Sequence, residues 1–100
     1  MPPAAAVHSD PADTTVIKIV GGSATLDLAG NYTISISNVT KWDMTPYTGN
    51  ITVIANLHDD TGALIYTETV VTNSSLRSFT GYISHTADYD YVCEFVVKVP

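Results

Sequence analysis

A chain of 100 residues, 45% hydrophobic and only 14% charged, is long enough for one hydrophobic core and too short for two. Ten acidic against four basic side chains give a formal net charge of −6, which repels phosphate backbones and anionic headgroups and so excludes nucleic acid and the membrane surface as expected partners. The abundance of Thr, Val, Ile, Ser and Tyr suits a pleated, half-buried surface and excludes disorder over most of the chain.

Residues 1–14 hold Pro2, Pro3 and Pro11 among Ala, Ser and Asp without a periodic apolar pattern, which predicts a flexible N-terminal arm ahead of a single domain over 15–100. The start lacks the charged and apolar regions of a signal peptide, and no run of about 20 apolar residues is present to insert in a membrane. A native Met1 implies cytoplasmic synthesis, whereas a Met added to a mature chain implies secretion.

Beyond residue 14 short β-type runs alternate with turn signals. A strand is predicted over 15–20, a hairpin turn at Gly21-Gly22, a second strand over 24–28 and a turn at Ala29-Gly30. Tyr32, Ile34 and Ile36 alternate with Thr33, Ser35 and Ser37, giving a strand with a hydroxyl-rich outer face. An irregular stretch over 38–50 follows. Ile51, Val53, Ala55 and Leu57 share one face of the next strand, and the turn Asp59-Asp60-Thr61-Gly62 leads to a partner over 63–71. A polar turn at 72–75, a strand over 76–84 and a turn at 85–88 precede the final run.

That run, 89–99, has the cleanest alternation. Tyr89, Tyr91, Cys93, Phe95, Val97 and Val99 point one way; Asp90, Val92, Glu94, Val96 and Lys98 point the other. The first set needs a cover, and in so short a chain the cover is a second sheet. Seven strands with regularly spaced turns and no helical period therefore predict an all-β, two-sheet antiparallel β-sandwich. Val92 and Val96 make the outward face more apolar than a fully solvated surface requires, which suits contact with a neighbour.

Tyr91-Val92-Cys93 resembles the Tyr-x-Cys of immunoglobulin-type domains, and the size and strand count are similar to theirs. The resemblance implies an immunoglobulin-like or fibronectin III-like sandwich over 15–99. Cys93 is the only cysteine, Trp42 follows the third strand, and the motif lies on the last strand, so no functional residue is carried over. Cys93 reads as a buried small hydrophobe without a neighbouring base to activate it, the alternative being an interchain thiol.

If consecutive strands alternate in direction, the turns at 29–30, 58–62 and 85–88 share one end of the sandwich. That end gathers His58, His85, Asp59, Asp60, Asp88 and Asp90, and the four aspartates are candidate oxygen ligands for Ca²⁺. The competing reading makes them turn residues bonded to local backbone amides, without any EF-hand spacing. No other cofactor is expected. The opposite end holds the 41–49 loop, where Trp42, Met44 and Tyr47 are candidates to stack on a sugar ring or anchor a protein; an aromatic of such a loop can instead fold back over the open end of the core.

His8, His58 and His85 stand apart in sequence, and no nucleophile, base and oxyanion set can be assembled, so no enzyme is expected. Asn31, Asn38, Asn50 and Asn73 each begin a glycosylation sequon, relevant if the chain passes through a eukaryotic secretory pathway. The expected function is a non-catalytic extracellular binding or adhesion module presenting end loops to a protein or carbohydrate. The alternative is a self-assembling filament or virion-surface subunit, a homo-oligomer made in the cytoplasm and using the arm and terminal strand; a small secreted inhibitor is third.

Overall fold

In the computed structural model, which describes residues 2–10 and 16–100, seven strands form two packed sheets. They are β1 (Ala4–Ser9), β2 (Ile17–Leu26), β3 (Asn31–Lys41), β4 (Ile51–His58), β5 (Leu64–Ser74), β6 (Ser78–Tyr82) and β7 (Val92–Lys98). One sheet has the order β1-β7-β4-β5 and the other β2-β3-β6. The fold is an all-β sandwich, antiparallel except where β1 runs parallel to β7, from Ala4 beside Val92 to Ser9 beside Val97. Among the described residues no helix is long and apolar enough to cross a membrane.

The core follows the alternation of the inner faces. Cys93, Phe95 and Val97 of β7 lie beside Ile51, Val53, Ala55 and Leu57 of β4, all fully buried, and face Leu26, Tyr32, Ile34 and Ile36 of the other sheet. The Tyr32 and Phe95 rings meet 5.5 Å apart at 50°, a tilted contact joining the two layers at their centre.

Four expectations change, the simplest being the polar turn expected at 72–75, since β5 runs on to Ser74 and the reversal falls at 75–77. Residues 4–9 are not a free arm but strand β1, because Ala5 and Val7 alternate inward onto the core while the backbone pairs with β7. The rest of the expected arm, 11–14, together with Met1 and the start of the first expected strand at Thr15, lies outside the described residues.

Gly21-Gly22 is not a hairpin turn. β2 runs straight through it, with a register shift against β3 between the two glycines. A Cβ on Gly22 would stand 2.4 Å from the Ser35 carbonyl oxygen, so the residue is needed for close strand approach instead of chain reversal. The reversal comes at Asp27–Gly30, where Gly30 has φ 97°.

The last strand is shorter than its alternation suggested. Pairing starts at Val92, leaving Tyr89 66% exposed and Tyr91 half-buried beside the core. Outward Val96 is only 6% exposed, because β1 and β4 flank it with His8 and Ile54; Val92 does face solvent.

Candidate functional site

The turns at Asp27–Gly30, at 59–63 and over 83–91 do share one end. The amides of Ile83 and Ala87 donate to the carbonyls of Gly30 and Leu28, and Val92 begins β7 opposite His58 at the end of β4. The 42–50 loop and the β5–β6 turn share the other, where Asn50 Nδ2 donates to Asn73 Oδ1 at 2.9 Å.

The 42–50 segment begins as a continuation of β3 by a small hairpin. Thr40 bridges to Pro46, the Lys41 amide donates to the Thr45 carbonyl at 2.9 Å, and the Tyr47 amide donates to the Val39 carbonyl at 2.8 Å. Asp43 fixes the tip by accepting from the Thr45 amide at 3.1 Å and from the Thr45 hydroxyl, bonds that hold its carboxyl below the usual range. Met44 takes a left-handed φ of 69° there.

Trp42 and Met44 are thrust outward at this tip, 52% and 61% exposed. Lys18 Nζ stands 5.4 Å from the Trp42 ring, a cation–π contact between the start of β2 and the loop. Tyr47 does the opposite: it folds back on the core and its hydroxyl donates to the Asn50 carbonyl at 2.7 Å. Of the two aromatics of this loop, Tyr47 packs against the core and Trp42 stays in water.

Arg77 locks the hairpin to the neighbouring turn. One guanidinium nitrogen donates to the Ser75 and Leu76 carbonyls, the other to the Tyr47 and Gly49 carbonyls at 3.2 and 2.8 Å. Between Arg77, Tyr47 and Pro46 on one side and Ile36 to Val39 of β3 on the other lies a groove of about 280 Å³. The rigid hairpin, its exposed tip and this groove form the candidate contact surface.

At the other end Asp59 and Asp27 each serve their own turn. Asp59 Oδ1 accepts from the amides of Thr61 and Ala63 at 2.9 and 3.1 Å and from the Thr61 hydroxyl at 2.6 Å, which lowers its pKa. Asp27 does the same for the amides of Ala29 and Asn31, and the Asn31 side-chain amide is its strongest lowering influence. Desolvation, and after it the charges of Asp88, Asp59, Asp60 and Asp90, raise the pKa of the Tyr91 hydroxyl. Among the described residues no group of three or more His, Cys, Asp or Glu is placed to hold a metal ion.

A cluster that the sequence did not suggest lies on the outer face of the larger sheet. His8 Nε2 and His58 Nε2 stand 3.6 and 3.4 Å from the same Glu94 oxygen, reaching it from β1 and β4 on either side of β7. Only the β1–β7 pairing reveals it. His85 belongs elsewhere, its ring 5.1 Å from that of Tyr66, whose hydroxyl donates to Glu68.

Burial, with the Glu94 charge adding to it, pushes the Cys93 thiol up to about 12, so the residue is a protonated core side chain. Of the sequon asparagines, Asn31 donates to Asp27, Asn38 accepts from the Thr40 hydroxyl, and Asn50 and Asn73 bond each other. The protein-family models, curated proteins and solved structures compared with the chain yield no match.

Proposed function

We propose that the protein is a non-catalytic binding or adhesion module, an extracellular sandwich of immunoglobulin-like kind, that presents its Trp42 end to a protein or carbohydrate. The observation carrying this reading is the exposure of Trp42 and Met44 on a hairpin stiffened by Asp43, Tyr47 and Arg77. A large aromatic kept in water on a rigid support loses little conformational entropy when it is covered, which is the property of a binding anchor. Capture of glycans or proteins by the chain and by its Trp42→Ala variant tests the reading. At least about a tenfold loss of binding is expected if Trp42 is an anchor of about 2 kcal/mol, and unchanged capture removes the loop from the site.

A second reading, a self-assembling structural subunit, is favoured by β1. An edge strand that completes a sheet at β7 is the kind of element that can complete a neighbour's sheet instead. Sedimentation of the full chain against one lacking residues 1–10 addresses it, and monomers in both preparations would exclude strand-mediated assembly.

A further inference from the structure

The four Lys and Arg residues are scattered in sequence, yet the fold gathers all of them at one end. Lys41 closes β3, Lys18 lies between Ile17 and Ile19, whose partners are Lys41 and Thr40, Lys98 ends β7 opposite Thr52, and Arg77 spans the β5–β6 turn and the 42–50 loop. Of the described acids only Asp10 and Asp43 share that end; Asp10 donates its amide to the Val97 carbonyl. Asp27, Asp59, Asp60, Asp88 and Asp90 crowd the other end, without a Lys or Arg.

Both ends also expose apolar side chains. Trp42, Met44 and Leu76 stand out at the basic end, Leu28, Tyr82 and Tyr89 at the acidic end. We propose that the basic, Trp42-bearing end docks onto the acidic end of a second copy, so that molecules associate head to tail. The inference rests on the reading of the Trp42 end as a contact surface and names the partner of that surface.

The net charge of −6 does not oppose this at ordinary salt. The molecule is 39 Å long, whereas charges are screened beyond about 10 Å at 0.1 M ionic strength, so the facing ends feel each other's local charges and not the whole molecule's. At about 0.01 M the screening length grows to about 30 Å and the net repulsion enters. The contact uses different patches on the two copies, which makes it heterologous and capable of extending into a chain of subunits.

Sedimentation velocity of the full chain over a concentration series tests the proposal. At about 0.1 M salt the average sedimentation coefficient should rise with concentration, and at about 1 M, where screening acts within about 3 Å, association should weaken by at least about tenfold. Two variants reverse one end each at side chains that face solvent wholly or in part: Lys18→Glu with Lys41→Glu, and Asp60→Lys with Asp88→Lys and Asp90→Lys. Each should remain monomeric alone, and their mixture should associate, since a basic end then meets an acidic one again. A wild-type chain that stays monomeric, or whose association ignores salt and both reversals, overturns the proposal. If such a monomer still captures a glycan or protein through Trp42, the binding reading survives and only the choice of partner fails.

Discussion

Phe95 is fully buried where the two sheets meet, in ring contact with Tyr32. Phe95→Ala should destabilise the fold by about 3–5 kcal/mol, read as a shift in the denaturant midpoint, and a midpoint little changed would contradict its central position. Cys93 offers a separate check. With its thiol pushed up to about 12, iodoacetamide should label the native chain negligibly at neutral pH and label it fully only once unfolded. The turn aspartates set the acid limit. The carboxyl groups of Asp27, Asp43 and Asp59 are held lower in the fold than their ordinary values by hydrogen bonds to turn residues, so their stabilising contribution is present above about pH 4, the unfolded carboxylate range, and is lost as pH falls through the folded values. Melting temperature should therefore drop between pH 5 and pH 3, with a shallower drop in Asp59→Asn; parallel curves for variant and wild type would remove Asp59 from the account.

At the scale of elements, β1 closes the free edge of β7 and also lies against β2 of the other sheet. A chain lacking residues 1–10 should melt at lower temperature, which calorimetry would register, and an unchanged melting temperature would contradict the closing role of β1. This strand was not legible in sequence for a physical reason: Ala4, Ala5, Ala6, His8 and Ser9 have weak intrinsic strand preference, and their partner lies at the far end of the chain. The opposite holds for β7, β4 and β3, whose inner faces carry Phe, Val, Ile and Leu at every second position and could be read directly. Gly21-Gly22 misled because glycine serves both a tight turn and a close strand approach, and only the register against Ser35 separates the two. The grouping of turns at the two ends followed from strand parity. The outward pose of Trp42 did not, since whether Trp42 or Tyr47 folds back depends on the hairpin registered by Thr40 and Pro46.

For the whole molecule, β1 and β7 bring the beginning and the end of the described chain side by side, and the two strands run in the same direction. Such a pairing forms only after most of the chain has been brought together, so folding should be slow for a domain of this size, in the millisecond-to-second range of β-sandwiches, as stopped-flow refolding would show. The parallel arrangement also has a mechanical consequence. Tension applied between Ala4 and Lys98 pulls the two strands past each other along their length, so the ladder from Ala4–Val92 to Ser9–Val97 is loaded in shear and its hydrogen bonds share the force instead of opening one by one. A molecule pulled in this way yields only when the whole seam slips, which is the mechanical behaviour wanted of a link that must hold under load.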